Sequence, residues 1–422
     1  MTADAPVAPI DLNDAATFAA GIPHDAFAAM RAAPGLTWTP DHPTGGRGFW
    51  SVTRMADLVT VSRDSSTYSS AVGHIQIYDI DEDALDARAS MIDMDPPIHT
   101  RLRRIVSSAF TPRHVQRYRE AVRARVRSAL DRLVADGGGD WVDVVAAPIP
   151  IGVICDLMGV PEEDHDHLIE LSDHLVAGTS SRPLPADAYG NTTPLRLLPF
   201  NSPAAHAMSA YAGALAERRN RERAAGGEDG EDLVSKLLAA EVDGERLSDE
   251  EFANFFRLMI FAGNETTRSS MAHLALHLDR FGDVFDRVAA DRSLVTSVTE
   301  EVIRYSSPIL YFRRTVTAPT TLCGTELATG DKVVMWYAAA NFDDAVFEEP
   351  LAFRPDRPSI PPHAAFGGGG AHFCLGASLA RLEVAELIDE LLDRGLRPTP
   401  AGEPTYVDSN FVNGIEHLEV VV

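Results

Sequence analysis

The pattern of apolar and polar positions along the chain predicts a mainly α-helical protein with small β-sheets. Apolar residues recur at helical spacing in the segments 161–177, 204–224, 248–277, 293–306 and 376–394. Another helix is expected over 112–135, because the glycines at 137–139 follow it and glycine commonly ends a helix. A short helix is expected at 24–33.

Two parts of the chain have the pattern of β-strands. One is GFWSVT at 48–53, and the other is 311–340, where short runs are separated by turns at Cys323-Gly324 and Thr329-Gly330. Polar stretches at 66–93 and 178–203 are expected to be loops. Because no internal repeat and no linker divides the sequence, we expect residues 1–422 to form a single domain.

Charge and cysteine content narrow the possible functions. The chain has 37 Lys and Arg against 62 Asp and Glu, a net charge of −25, which argues against nucleic acid or an anionic membrane as a partner. The apolar run at 144–155 is broken by Pro148, Pro150 and Gly152 and is too short to span a bilayer, so no membrane anchor is expected. Three widely spaced cysteines form no disulfide framework, which indicates a reducing cytoplasm.

The sequence FGGGGAHFCLGASLAR, from Phe366 to Arg381, places Cys374 after four glycines and before a predicted helix. It lacks the Gly-Lys-[Ser/Thr] ending of a phosphate loop, and no second cysteine lies near enough for a zinc site. Glycines let the backbone approach a flat ligand, and free N–H groups at a helix N-terminus favour a thiolate that can bind iron, as in haem-thiolate enzymes. The alternative is an ordinary buried thiol.

Further motifs accompany this loop in a fixed order. They are DPPIHTRLRR (95–104), AGNETT (262–267), EVIR (301–304), FRRT (312–315), AAANFD (338–343) and FRPDR (353–357). Together with the cysteine loop they resemble the cytochrome P450 superfamily over nearly the whole chain. The resemblance implies the cytochrome P450 fold and a haem b cofactor (iron protoporphyrin IX), with Cys374 as the axial ligand of the haem iron.

The resemblance also implies how the haem is held. The side chains that correspond to the propionate-binding set are His99, Arg103, Arg314 and His372. Arginine suits such carboxylate contacts, and the alternative is surface salt bridging. Glu301 and Arg304 are expected to form a buried structural ion pair joined by Arg357, and breaking it is expected to prevent haem incorporation.

Glu265 and Thr266 lie inside an otherwise apolar predicted helix, where polar side chains are unfavourable unless they are bonded or used. A threonine hydroxyl can bond to the i−4 carbonyl and distort the helix. In the family this pair relays protons to dioxygen, and the alternative is a helix kink with no catalytic part. Gly263 is expected to leave room over the iron.

Phe366 lies eight residues before Cys374, one more than in the common bacterial loop. With AGNETTR (262–268) and FVNGI (411–415), this extra residue resembles a subgroup that oxidises sterol side chains and methyl-branched lipids. We therefore expect a bulky apolar substrate, namely a sterol, a methyl-branched lipid or a terpenoid. Candidate pocket residues, for which ordinary core is the alternative, are Ile75, Ile77, Leu258, Phe261, Ala262, Leu310 and Val412.

Between residues 101 and 127 the chain has nine arginines and a single acid, Glu120. The chain shows no flavin or iron–sulfur motif, so the resemblance implies that electrons come from a small acidic ferredoxin with its reductase. Arg101, Arg104 and Arg113 are the candidates for docking it by charge. The alternative is a solvated helix face paired with acids elsewhere.

The implied function is that of a haem-thiolate monooxygenase, which hydroxylates a C–H bond of an apolar substrate with O2 and electrons from a ferredoxin. The alternative is a P450 tailoring enzyme of secondary metabolism that oxidises a polyketide, terpene or peptide. A peroxide-driven haem enzyme and a haem sensor are further alternatives, and Glu265 and Thr266 argue against the peroxide route. The segment EEDHDH (162–167) is expected to be the acid-rich first turn of a helix rather than a metal site.

Overall fold

The computed structural model describes residues 6–41, 47–79, 90–177, 203–226, 230, 232–241, 244–358 and 362–422. Within these ranges the chain is mainly helical and its strands are short, which confirms the predicted fold class. Of the two polar stretches expected to be loops, nearly all of 178–203 and residues 80–89 of the other lie outside the described residues.

The helices make up most of the described structure. Within the described residues they are α1 (His24–Ala32), α2 (Met55–Arg63), α3 (Ile98–Ser107), α4 (Pro112–Val115), α5 (Arg119–Ala135), α6 (Pro148–Met158), α7 (His165–Ala177), α8 (Pro203–Ala224), α9 (Leu233–Ala239), α10 (Asp249–Arg280), α11 (Gly282–Ala290), α12 (Val295–Ser306), α13 (Tyr337–Ala340) and α14 (Ala377–Arg394). None of these helices combines the length and the apolar character that crossing a membrane requires.

The strands form small, separate sheets. They are β1 (Thr37–Thr39), β2 (Phe49–Val52), β3 (Tyr68–Ser69), β4 (Gly138–Asp140), β5 (Tyr311–Val316), β6 (Thr320–Leu322), β7 (Thr325–Leu327), β8 (Lys332–Trp336), β9 (Thr399–Pro400), β10 (Thr405–Tyr406), β11 (Ile415–His417) and β12 (Glu419–Val421). The largest sheet has the order β1-β2-β8-β5-β3, with β2 and β8 parallel. A three-stranded sheet has the order β4-β12-β9, and β6-β7 and β10-β11 are antiparallel pairs.

Helix α10 lies at the centre of the helical part. Its start is fixed by a capping box: the Ser248 hydroxyl accepts from the Glu251 N–H (3.1 Å), and the Glu251 carboxylate accepts from the Ser248 N–H (2.9 Å). It packs against α6, α7, α8, α12 and α14. Because neighbours cover it on several sides, most of its residues are buried.

Two local predictions need adjustment, and a third is confirmed. The apolar run at 144–155 contains most of α6, because Pro148 and Pro150 lie in the first helical turn, where a missing N–H costs nothing. The helix expected over 112–135 is divided by a 3₁₀ turn at Gln116–Tyr118. Within EEDHDH, Asp164 accepts a hydrogen bond from the Tyr211 hydroxyl (2.7 Å) and α7 begins at the next residue, so the segment forms a helix start as predicted.

Candidate active site

A cavity of about 1650 Å³, part of it open to solvent, lies between α10 and the loop that precedes α14. Side chains of α3, α10 and α14 line it, together with the segment 308–312. Its lining is mostly apolar and includes a few polar side chains, as is typical of a small-molecule site.

Cys374 lies at the wall of this cavity, and the exposed part of its side chain faces the cavity. Burial raises the pKa of its thiol, whereas the Gly376 N–H, the charges of Arg103 and Arg381, and the Ala377 N–H act in the opposite direction. Because Gly376 caps the start of α14, the helix N-terminus is directed at the sulfur, as predicted for a stabilised thiolate.

The glycine loop (366–374) is closed on itself and packed against α2. The Cys374 N–H donates to the Phe366 carbonyl (2.9 Å), which joins the two ends of the loop. A Cβ at Gly368 would lie 2.6 Å from Leu58 Cδ2, so the glycine lets the loop approach α2 without displacing Leu58. The loop therefore holds the sulfur in a fixed place.

The propionate-binding candidates gather beside the cysteine. His99, Arg103 and His372 line the cavity, and the rings of the two histidines are 4.2 Å apart between centroids. Arg314 is 2% exposed, and its positive charge adds to burial in lowering the pKa of both histidines. The guanidinium groups of Arg103 and Arg314 donate to backbone carbonyls.

This cluster fits an anionic ligand with two carboxylates. Within the described residues, neither Arg103 nor Arg314 forms an ion pair with a carboxylate. His99 Nδ1 is buried and has no hydrogen-bond partner there either. Burial, with the charge of Arg103, lowers the pKa of His99 to about 4, so its imidazole is a neutral hydrogen-bond donor. Buried cations without a partner are unfavourable, and the propionates of a haem would supply the partners.

Glu265 and Thr266 line the cavity from α10. The Thr266 hydroxyl donates to the Ala262 carbonyl at 3.0 Å, which is the predicted i−4 bond. Gly263 also lines the cavity. A Cβ there would lie 3.0 Å from Ile154 Cδ1, so the glycine also admits α6 close to α10.

The predicted structural ion pair lies outside the cavity lining. Glu301 and Arg304 are both almost fully buried, and the Arg357 Nε donates to Glu301 Oε1 at 3.2 Å. The structure thus brings together the three residues that the sequence grouped.

The pocket predictions agree only in part with the cavity wall. Ile75, Leu258, Phe261 and Ala262 line the cavity. Ile77, Leu310 and Val412 do not, because they pack into an apolar cluster around Trp336. Their neighbours Gln76, Ile309 and Phe411 line the cavity instead. For Leu310 and Val412 the residue just before lines the cavity, so in these two extended segments the prediction chose the opposite face.

The basic run is neutralised over much of its length. Its ion pairs with other helices are Arg119 and Arg123 with Glu386, Arg125 with Asp156, and Arg127 with Glu390. Arg101 contacts Glu251 and Glu245, so this docking candidate already has acidic partners. Arg104 and Arg113 are exposed, and Arg113 forms no ion pair within the described ranges. The alternative of a paired helix face thus applies to most of the run.

The structure brings together the Cys374 thiol at a helix N-terminus, two arginines and two histidines beside it, and an acid–alcohol pair on α10. This is the set of residues that a haem-thiolate site would use. The family model for cytochrome P450 matches residues 22–394. The chain belongs to the cytochrome P450 family, and its fold is the cytochrome P450 fold.

Similar proteins support the same assignment. The chain is 38% identical to a methyl-branched lipid omega-hydroxylase of Mycobacterium tuberculosis, over 99% of this chain and 95% of that protein. It is 36% identical to a steroid C26-monooxygenase of Mycolicibacterium smegmatis, over 97% of this chain and 93% of that protein. A Mycobacterium marinum cytochrome P450 solved in complex with pseudoionone has a TM-score of 0.88, with 35% identity and full coverage of both chains.

Family membership settles the cofactor and the class of enzyme. Proteins of this family bind haem b through a cysteine thiolate, and Cys374 is the cysteine at the cavity. The chain is an oxidoreductase of the monooxygenase class.

Proposed function

We propose that this monooxygenase hydroxylates a C–H bond of a methyl-branched lipid or a sterol side chain, with O2 and electrons from a ferredoxin. The observation that carries the proposal is the cavity, which combines the Cys374 thiol with a large apolar wall. The names of two relatives, a methyl-branched lipid omega-hydroxylase and a steroid C26-monooxygenase, point to the same substrate classes.

The substrate is bound by apolar side chains. Leu258, Phe261 and Ala262 of α10 and Phe411 of the C-terminal segment line the cavity. Burying an aliphatic chain against such a wall contributes about 25 cal/mol per Å² of apolar surface, and it also excludes water from the reacting carbon. We expect affinity to rise with the apolar length of the substrate.

The chain's own polar residues hold the cofactor and direct protons. Haem bound at Cys374 supplies the activation of dioxygen and the insertion of one oxygen atom into a C–H bond. His99, Arg103, Arg314 and His372 would hold its two carboxylates. Glu265 would take up protons and the Thr266 hydroxyl would pass them into the cavity.

Electrons would enter from an acidic ferredoxin, with its reductase, that docks on exposed arginines. Arg113 is the strongest docking residue, because it has no ion pair within the described part of the chain. Arg104 is exposed on the neighbouring helix α3. The cytoplasmic location expected from the cysteine content stays a prediction.

A second candidate is the tailoring of a terpene or polyketide. It is favoured by the similarity to a cytochrome P450 that was solved with pseudoionone. The two candidates share the haem site and differ in the shape of the substrate.

A titration of the ferric protein, monitored at the Soret band, separates them. The panel holds sterols, methyl-branched fatty acids, terpenes and aromatic polyketides, and we expect a shift from low to high spin with a sterol or a branched lipid. A shift with terpenes or polyketides alone would support tailoring. If protein loaded with haem shows no Soret band, the haem site itself is wrong.

Turnover then tests the electron source. We expect product only when ferredoxin, reductase, NAD(P)H and oxygen are all present. Product from peroxide alone would support a peroxide-driven enzyme, and no product by either route would support a sensor.

A further inference from the structure

A row of polar side chains continues from Glu265 along one buried face of α10. Glu265, Ser269, His273 and His277 are spaced four residues apart, so they lie on one face of the helix. None of them exposes more than 7% of its surface. Such groups need hydrogen-bond partners or ordered water, because a buried polar group without a partner is unfavourable.

Within the row, Ser269 is a residue whose side chain needs such a partner. Its hydroxyl oxygen is buried and has no hydrogen-bond partner among the residues that the structure describes. The Thr266 and Ser270 hydroxyls on the same helix instead donate to the carbonyls four residues earlier. The Ser269 hydroxyl is therefore available to a water.

Gly414, between β10 and β11, faces both Glu265 and Ser269. A Cβ at Gly414 would lie 3.4 Å from Glu265 Oε1 and 3.4 Å from Ser269 Oγ. Both oxygens thus lie on the same side of Gly414, close enough together for one water to bridge them. Buried waters typically make about three such hydrogen bonds.

His273 extends the row by one further turn. Its Nδ1 lies 2.9 Å from the Ser269 carbonyl, which can only accept, so Nδ1 carries the proton and Nε2 is an acceptor. Burial lowers the pKa of His273 to about 4 and keeps the ring neutral. The ring centroid is 6.2 Å from that of Tyr406, a half-buried residue of β10. The row therefore approaches the protein surface at Tyr406.

His277 has a different environment. The rings of Phe281, Tyr305 and Phe353 surround it at centroid distances of 5.1–6.1 Å. Its Nδ1 is buried without a hydrogen-bond partner among the described residues. It therefore ends the row inside an aromatic cluster and serves as a control.

We propose that Ser269 and a water held beside Gly414 position Glu265 for proton delivery, and that His273 and Tyr406 line the continuation of this path to the surface. The inference rests on the proposed roles of Glu265 and Thr266. When Glu265 releases one proton towards the Thr266 hydroxyl, it regains one from the bridging water. Each group of the row that gives up a proton receives the next proton from the solvent side, so no charge accumulates. Ser269 and Gly414 are positioning residues.

Two variants of the haem-loaded protein test the inference. Ser269→Ala removes the hydroxyl, and Gly414→Ala adds a methyl group against the two oxygens that the proposed water would bridge. The backbone at Gly414 is not left-handed, and the methyl would lie 3.0 Å from Val407 Cγ2, which a small side-chain shift relieves. We expect both variants to have the same unfolding temperature as the wild type. Crystals of the wild type should show an ordered water between Glu265 and Ser269, and crystals of Gly414→Ala should not.

The kinetic test uses a substrate from the Soret titration, with ferredoxin and reductase. We expect each variant to lower the ratio of product formed to NAD(P)H consumed about tenfold, less than the 10²–10⁴ that a directly placed acid supplies. The solvent isotope effect on product formation should also change. His277→Phe, which alters the same row inside its aromatic cluster, should keep the wild-type ratio and isotope effect.

The outcomes separate this inference from the function on which it rests. A wild-type crystal without the water, or Ser269→Ala and Gly414→Ala enzymes with the wild-type ratio and isotope effect, would overturn the inference. If Glu265→Gln lowers the ratio in the same experiment, the proposed role of Glu265 still stands. If Glu265→Gln leaves the ratio unchanged, that role is wrong as well.

Discussion

Arg304 and Glu301 are joined by two parallel hydrogen bonds, from Nε to Oε2 at 2.7 Å and from Nη2 to Oε1 at 2.8 Å. The two side chains are 1% and 2% exposed. Arg304 Nη1 also donates to the carbonyls of Asn341 (2.7 Å) and Pro350 (3.0 Å). The pair therefore ties α12 to the segment that leads to the glycine loop.

Glu301→Gln is expected to destabilise the protein by about 3–5 kcal/mol, because Arg304 would remain as a buried charge without its ionic partner. Urea unfolding of the haem-loaded protein measures the loss, and haem content after expression should fall with it. Arg354→Gln is the control, because the Arg354 side chain pairs with exposed acids among the described residues, so a much smaller loss is expected. Equal losses in the two variants would contradict the structural role of the pair.

Cys374→Ser is expected to abolish the red-shifted absorption of the ferrous carbon monoxide complex, because a serine oxygen does not supply a thiolate ligand. Cys323→Ser is the matched control, since Cys323 lies in the turn between β6 and β7, away from the cavity wall. The measurement compares the absorption spectra of the two reduced variants with carbon monoxide. A normal spectrum from Cys374→Ser would exclude this cysteine as the ligand.

Arg113→Glu is expected to raise the KM for ferredoxin several-fold while leaving kcat near the wild-type value, because an exposed charge acts mainly on association. The effect should shrink as salt rises, since the Debye length falls to about 3 Å at 1 M. Arg221→Glu on α8, an exposed arginine with a long i,i+4 contact to Glu217, is the control. A KM for Arg113→Glu that does not differ from this control would place the docking surface elsewhere.

Glu300 gives a prediction for pH. Burial opposes its ionisation, but hydrogen bonds from Arg381 and His363 outweigh burial and lower its pKa from 4.5 to about 2. A carboxyl with a lowered pKa stabilises the fold above about pH 4.5, and this contribution disappears as the pH falls towards 2. Glu300→Gln should therefore lower the free energy of unfolding by roughly 2 kcal/mol at pH 7.

The difference between wild type and Glu300→Gln should shrink between pH 4.5 and the lowest pH at which both proteins fold. Urea unfolding at several pH values measures it. A difference that stays constant over this range would mean that Glu300 acts through packing instead of charge.

The local sequence pattern predicts those helix ends that are fixed by residues close together in the chain. The start of α10 follows from Ser248 and Glu251, which lie three residues apart and cap the helix together. The sequence pattern does not predict helix α6, because prolines usually interrupt a helix, although the first turn of a helix accepts them. The difference lies in position within the helix, which residue type alone does not reveal.

The site was predicted where a motif fixes the residue and was less accurate where only apolar character was available. Cys374, Glu265 and Thr266 all lie at the cavity, whereas Leu310 and Val412 face the neighbouring core. Likewise, the pairing of Arg101 with Glu251 joins residues 150 positions apart. A local sequence pattern holds no information on which distant acid will meet an arginine.

The close contact between the glycine loop and α2 has a consequence for how this family can vary. The Ser62 hydroxyl donates to the Gly369 carbonyl (2.8 Å), and the site of a side chain at Gly368 is already filled by Leu58. A larger residue at 368 would require a smaller one at 58. The two positions are therefore expected to change together in evolution, so a feature that resembles a cofactor signature also records the packing of a helix more than 300 residues earlier in the chain.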